Sequence, residues 1–155
     1  LGIEGAVLVS TAVALATATA EGPEILGAAR AEARSESFRD KLLVAENWLS
    51  EEGTASPRDV QRELGNGMAA TESCVTAIYL GARFLPLPFE ELLRFVAAVG
   101  GDADTIGAMA GAIWGGSHGA SQLPSAMLDR LEDRDRIARL ARALHHRFTD
   151  DGEST

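Results

Sequence analysis

The chain has 155 residues, of which 46% are hydrophobic and 24% charged, the balance of one soluble globular domain and not of a disordered chain. Its formal net charge of -9 argues against a nucleic-acid-binding surface, which needs clustered cationic side chains. The single cysteine, Cys74, excludes an intrachain disulfide and a cysteine-based zinc site, and it fits a reducing cytoplasm, where we expect the protein to act.

The first segment, Gly5 to Thr19, is apolar on nearly every side and is predicted to form a helix enclosed by other helices. It lacks the basic start of a signal peptide, because Glu4 occupies that region. The uncharged stretch between Glu4 and Glu21 is shorter than the roughly 20 residues that span a bilayer, so no membrane interaction is expected. The abrupt start without methionine suggests a piece of a longer polypeptide.

The segments that follow are also predicted to be helical. After a turn at Gly22-Pro23 we expect a short exposed helix, and Ser56, Pro57 and Gly65 mark the cap, first turn and end of another short helix. Apolar spacing predicts further helices over 38–51, 68–84, 88–99, 106–116, 124–131 and 134–148. No convincing alternating strand pattern is present, so the predicted fold is all-α, with one domain over 1–148 and an acidic tail over 149–155.

The stretch "GGDADTIGAMAGAIWGG", residues 100–116, combines acidic residues with a helix of small residues. Gly107, Gly111 and Gly115 fall on one helix face, and each costs about 1 kcal/mol relative to alanine. This cost is understandable if another backbone approaches closely, so we expect a central helix that is largely buried.

Asp102, Asp104 and Thr105 immediately precede this helix and are expected to lie in its non-helical lead-in. One such residue suffices to cap a helix, whereas a second nearby carboxylate adds repulsion that a divalent cation would remove. These hard oxygen ligands suit Mg²⁺ or Mn²⁺ and do not suit zinc. The spacing alone leaves both interpretations, cap and metal site, open.

Three oxygens from one turn cannot complete an octahedral coordination shell. The other acidic pairs, Glu51-Glu52 and Glu90-Glu91, are typical of solvated helix ends. We therefore expect the remaining ligands to come from water, substrate or protein outside this stretch, and the chain by itself to bind Mg²⁺ weakly at best.

Three segments together resemble the ADP-ribosylglycohydrolase family. "GGDADTIGAMAGAIWG" is similar to the family's C-terminal signature GGDTDTIGAMAGAIAGA, and "GNGMAATESCVTAIYLGARF" is similar to the segment that precedes it. "LGIEGAVLVSTA" resembles the helix that follows a histidine-containing motif in the family. The resemblance runs in order from about Leu1 to Phe148, so we expect the C-terminal part of such a domain.

The resemblance implies a helical fold around two divalent cations, Mg²⁺ or Mn²⁺, and hydrolysis of the bond between ADP-ribose C1″ and a protein side chain or related group. The positions that match the family's C-terminal metal ligands are Asp102, Asp104 and Thr105. The positions that match its ADP-ribose-contacting loop are Asn66, Gly67 and Met68, and we expect Gly65-Asn66-Gly67 to lie close to Asp102 and Asp104.

The resemblance also implies what this chain lacks. The other metal ligands and the catalytic acid are expected upstream, in the N-terminal half of the same domain. The implied partners are an ADP-ribosylated protein or a small ADP-ribose-containing molecule. A non-catalytic ADP-ribose-binding or structural protein of the same fold is the alternative, and Ser117-His118 stands where family members often carry aromatic residues.

Overall fold

The computed structural model describes residues 1–50 and 55–150, with side chains as far as residue 147, and these residues form helices and no strand. The all-α prediction is therefore confirmed. The α-helices are α1 Gly2–Thr17, α2 Gly22–Glu32, α3 Glu36–Ser50, α4 Pro57–Glu63, α5 Ala70–Arg83, α6 Phe89–Val99, α7 Ala103–His118, α8 Ser125–Leu128 and α9 Arg134–Asp150. A 3-10 helix, Ala120–Gln122, was not predicted.

The chain divides into two compact units, of which the first is Leu1–Gln122 and the second begins at Leu123. The first unit holds α1 to α7 and nearly all the buried side chains. The predicted division into 1–148 and 149–155 stays a prediction, and residues 51–54 and 151–155, which include Glu51-Glu52 and most of the acidic tail, lie outside the described residues. Within the described part of the chain, no helix is long and apolar enough to cross a membrane.

Helix α5 is the centre of the first unit, with an unbroken buried run from Ser73 to Ala82. It runs parallel to α7, because the residues just before the two helices, Asn66 and Gly101, touch, and Gly81 near the end of α5 meets Ile113. A Cβ on Gly81 would lie 2.8 Å from Ile113 Cβ, so only glycine fits this approach.

Helix α1 is parallel to α5 as well. A Cβ on Gly5, in the first turns of α1, would lie 2.8 Å from the Cys74 sulfur near the start of α5. Just beyond the end of α1, Gly22 approaches the Ala82 carbonyl near the end of α5. The three helices α1, α5 and α7 therefore begin at the same end of the unit.

The close helix approaches of α7 differ from the prediction. Gly107 and Gly111 have only ordinary van der Waals neighbours, and a Cβ on Gly115 would meet nothing within 4 Å. Among the glycines of α7, it is Gly116 that makes a close contact with another helix, since a Cβ there would lie 2.9 Å from Thr17 Oγ1 of α1. The helix is also less buried than predicted, since Ala108 is exposed. Its fully buried positions are Ile106, Ala110, Ile113 and Trp114.

Helices α1 and α2 also differ from their predicted burial. Helix α1 buries a single face, and Ile3 and Val7 on the other side are exposed, because no helix of the described residues covers them. Helix α2 is not mainly exposed, since Ile25 and Leu26 are fully buried. It begins directly at Gly22-Pro23, where a turn was predicted, because proline is favourable in a first helical turn.

A carboxylate links α1 to the connection between α2 and α3. Glu4 Oε1 accepts hydrogen bonds from the backbone N–H groups of Arg34 and Ser35, both at 2.8 Å, and from Ser35 Oγ at 3.1 Å. The Ser35 N–H, followed by the other donors, lowers the pKa of Glu4 against the opposing effect of partial burial. The charged carboxylate thus holds the start of α1 against the start of α3.

Candidate functional site

The connection between α6 and α7 consists of two glycines and Asp102. Gly100 ends α6 by donating its N–H to the Val96 carbonyl at 3.1 Å. Gly100 and Gly101 have φ angles of 66° and 67°, in the region that favours glycine. This short connection places Asp102 at the start of α7. The helix begins at Ala103, three residues earlier than predicted, so Asp104 and Thr105 lie within its first turn and the prediction that they precede the helix is wrong.

The side chains of this turn interact mainly with one another. Thr105 Oγ1 donates to Asp102 Oδ1 at 3.0 Å, and the Asp102 side chain accepts no hydrogen bond from the backbone of the first turn. Asp104 Oδ1 accepts the Thr105 N–H at 3.0 Å and so satisfies one first-turn donor. Asp104 therefore has part of a capping role, and Asp102 lacks one.

The charges of the turn suit a cation. Asp104 and Thr105 are exposed and Asp102 is half-buried. The hydrogen bond from the Thr105 N–H is the main cause that lowers the pKa of Asp104 and keeps it ionised. Because the Thr105 hydroxyl gives its proton to Asp102, its oxygen lone pairs remain available to a cation. Two carboxylates and a hydroxyl are the hard donors that Mg²⁺ or Mn²⁺ prefers.

These donors form part of a coordination shell only. In residues 1–50 and 55–147, no three or more His, Cys, Asp or Glu side chains gather where they could hold a metal ion. Glu90 and Glu91, the second acidic pair, lie in the first turn of α6, where Glu91 pairs with Arg94.

The loop Gly65-Asn66-Gly67 lies directly beside Asp102, as predicted. The Asp102 N–H donates to the Asn66 carbonyl at 2.7 Å, and Asn66 Nδ2 donates to the Val99 carbonyl at 2.9 Å. A Cβ on Gly101 would overlap the Asn66 carbonyl oxygen and lie 2.6 Å from Asn66 Cγ. The loop and the aspartate turn are thus in backbone contact.

Two side chains of α5 hold the loop from its other side. Thr76 Oγ1 donates to the Gly65 carbonyl at 2.6 Å, and Glu72 Oε2 accepts the Gly67 N–H at 2.9 Å. The Gly67 N–H is therefore used within the protein. Met68, the third predicted ligand-contacting residue, is 86% exposed.

Sequence patterns missed the residues that brace this turn. Gln61 of α4 donates Nε2 to the Val99 carbonyl at 2.7 Å, beside the bond from Asn66. Glu72 and Thr76 were read only as part of a helix. Their roles depend on which helices pack together, for which the local sequence carries no signal.

A cleft of the first unit lies at the opposite end of α7. It has a volume of about 550 Å³ and is lined by residues that include Arg83 and His118. At about 1.5 Å per residue, the 16 residues of α7 place His118 roughly 24 Å from the aspartate turn. His118 stacks on Trp114, with ring centroids 3.9 Å apart. Ser117 and His118 therefore belong to this cleft and not to the surroundings of Asp102.

Comparison with known sequences identifies the class of protein. The sequence model of the ADP-ribosylglycohydrolase family matches residues 1–154, and the chain belongs to this family. The chain is therefore an all-α protein of the ADP-ribosylglycohydrolase type, as the resemblance in the sequence implied.

Particular relatives are similar over part of their length. The chain is 38% identical over 109 residues to ADP-ribosylhydrolase ARH3 of Bos taurus and of Homo sapiens, which is 64% of this chain and 30% of each relative. It is 33% identical over 148 residues to an uncharacterised protein of Archaeoglobus fulgidus, which is 92% of this chain and 45% of that protein. The chain thus matches less than half the length of these relatives.

Proposed function

We propose that this chain is the C-terminal part of a metal-dependent hydrolase that cleaves the bond between ADP-ribose C1″ and a protein side chain or related group. The observation that carries the proposal is the cluster of Asp102, Asp104 and Thr105 oxygens on one turn, bonded through its backbone to Asn66. Family membership and the name ADP-ribosylhydrolase of the ARH3 relatives support the substrate class.

In this proposal Asp102, Asp104 and Thr105 would hold Mg²⁺ or Mn²⁺, in a site of two ions. Divalent ions, when bound, supply the positive charge that orients ribose hydroxyls and a water molecule. The lowered pKa of Asp104 means that its carboxylate need not lose a proton before a cation binds. The Thr105 hydroxyl directs its proton to Asp102, which leaves the Thr105 oxygen lone pairs available to the cation.

The loop supplies the contact with the nucleotide part of the substrate. Asn66, Gly67 and Met68 lie next to the cation ligands, and the exposed Met68 side chain can contact an apolar ring face or ribose edge. The remaining cation ligands and the catalytic acid come from the N-terminal part of the domain, which acts with this chain in the cytoplasm. The substrate is an ADP-ribosylated protein or a small ADP-ribose conjugate.

The proposal is tested by Asp102→Ala and Asp104→Ala in the full-length protein, with Asp40→Ala, an exposed aspartate of α3, as the matched control. Both site variants should lose Mg²⁺ binding measured by calorimetry and release of ADP-ribose from a modified protein. The Asp104 variant should be the more severe if this carboxylate serves both ions. Asp40→Ala should behave like the wild type.

The alternatives give different results. If Asp104 only caps α7, Asp104→Ala loses stability, Asp102→Ala does not, and Mg²⁺ binding is unchanged or never present. If the protein binds ADP-ribose but does not release it from any conjugate, the non-catalytic alternative is correct.

A further inference from the structure

The carbonyl oxygen of Val99 is a shared acceptor at the edge of the candidate site. Val99 is the last residue of α6, where carbonyl groups have no partner within the helix. Gln61 Nε2 and Asn66 Nδ2 both donate to this oxygen, at 2.7 and 2.9 Å. Two donors can use both of its lone pairs, so the end of α6 is fixed from two directions.

Asn66 connects this oxygen to the aspartate turn. Its side chain bonds to Val99, and its main-chain carbonyl accepts the Asp102 N–H at 2.7 Å. Between these two bonds lie Gly100 and Gly101, the residue type with the greatest backbone freedom. The hydrogen bonds, and not the local chain stiffness, therefore determine where the Asp102 main chain lies.

Gln61 is itself held on a well-anchored helix. Helix α4 begins with a reciprocal capping box, in which Ser56 Oγ accepts the Asp59 N–H at 3.3 Å and Asp59 Oδ2 accepts the Ser56 N–H at 3.0 Å. Val60 and Leu64, on either side of Gln61, are fully buried. The main chain that carries Gln61 is thus held outside the site, while its exposed side chain is held by the bond to the Val99 carbonyl.

We infer that Gln61 is a positioning residue for the cation-binding aspartates, acting through Val99 and Asn66. The inference rests on the proposed function. Gln61 has no hydrogen bond to Asp102, Asp104 or Thr105, so its effect passes through the backbone. Its amide restrains the Val99 carbonyl, which orients the Asn66 side chain, and the Asn66 carbonyl in turn holds the Asp102 N–H.

The test uses Gln61→Met in the full-length protein, because methionine keeps the length of the side chain and removes the N–H donor. Gln122→Met, in the exposed 3-10 helix after α7, is the matched control. Mn²⁺ affinity is measured by calorimetry far below the melting temperature, and exchange of the Asp102 amide hydrogen is measured in the absence of metal.

Gln61→Met should weaken Mn²⁺ binding by about 2- to 30-fold, the range of coupling through a packed network, and should speed exchange at Asp102. Gln122→Met should change neither quantity. A lower melting temperature with unchanged Mn²⁺ affinity and unchanged exchange would mean that Gln61 serves stability alone, which overturns the inference.

The exchange measurement separates this inference from the proposed function. If the wild type binds no Mn²⁺ but Gln61→Met still speeds exchange at Asp102, the proposed metal site is wrong while the hydrogen-bonded link from Gln61 to Asp102 stands. If Mn²⁺ binds and the variant leaves affinity unchanged, the metal site stands and the positioning role is wrong.

Discussion

Gly101 is the residue at which the aspartate turn and the Asn66 loop meet most closely. Gly101→Ala should reduce the free energy of unfolding for two reasons: its φ of 67° is unfavourable for alanine, and its Cβ would displace Asn66. The backbone effect alone costs about 1–3 kcal/mol, and displacement of Asn66 adds to it. Denaturant unfolding measures the sum.

Gly119→Ala is the control for the backbone effect. Gly119 follows α7 with a φ of 71°, and a Cβ there would meet nothing within 4 Å. Its substitution should therefore show the conformational cost without the overlap. Equal losses at the two positions would mean that the contact between Gly101 and Asn66 does not restrict the loop.

For individual residues, the sequence predicts which segments lie together better than it predicts the hydrogen bonds between them. The proximity of the Gly65-Asn66-Gly67 loop to Asp102 was predicted from the family resemblance and is confirmed. The use of the Gly67 N–H by Glu72 and the bracing by Gln61 were not predicted. Such bonds depend on side chains that approach from separate helices, and hydrophobic periodicity does not report them.

Among the helix pairs, α5 and α7 make a contact that is sensitive to side-chain size. Gly81→Ala should destabilise the protein by about 1–3 kcal/mol, because its Cβ would lie within 2.9 Å of three Ile113 atoms in a filled core. Gly115→Ala, on the same pair of helices but with open space around it, should be neutral or gain up to about 1 kcal/mol from helix propensity.

In thermal unfolding, Gly81→Ala should therefore lower the melting temperature, and Gly115→Ala should leave it unchanged or raise it. A gain in stability from Gly81→Ala equal to that from Gly115→Ala would show that Ile113 moves away without cost and that the helices are not tightly packed.

Helix ends were predicted more accurately than helix faces. Ser56-Pro57 and Gly100 gave the start of α4 and the end of α6, since caps and glycines act locally. The buried face of α7 was misjudged, because Gly107, Gly111 and Gly115 were assigned to the close contact that Gly116 makes. A stripe of small residues indicates that an approach is possible and does not indicate where it occurs.

For the molecule as a whole, the Glu4 carboxylate makes stability depend on acidity. Its pKa is lowered in the folded protein below the ordinary value of 4.5, mainly by the Ser35 N–H. At mildly acidic pH the folded state therefore binds fewer protons than the unfolded state. The stabilisation by the charged Glu4 carboxylate is fully present above the unfolded pKa of 4.5 and is lost as the pH falls through the folded pKa. Glu4→Gln should be less stable than the wild type at neutral pH.

The difference between Glu4→Gln and the wild type should shrink as the pH falls below about 4.5. Unfolding midpoints recorded from about pH 7 to about pH 3 test this, with Glu24→Gln in the first turn of α2 as the control. A difference that stays constant over the whole range would rule out the charged carboxylate as the source of the effect.

The all-α class followed from the absence of alternating patterns, and the family from the order of three motifs along the chain. The exposed side of α1 was not foreseen, because an apolar sequence does not say which neighbours are present to cover it. Val7 is 43% exposed among the described residues, although its segment is predicted to be enclosed by other helices.

The parallel arrangement of α1, α5 and α7 has a consequence for the order of folding during synthesis. Three helices separate α1 from α5 along the chain, and α6 lies between α5 and α7, so both contacts close long loops. When α5 leaves the ribosome, the surface of α5 around Gly81 still lacks its neighbour, Ile113 of α7. The core of this unit therefore closes only after Ala103–His118 have emerged. Until then the nascent chain exposes the apolar surface of its central helix.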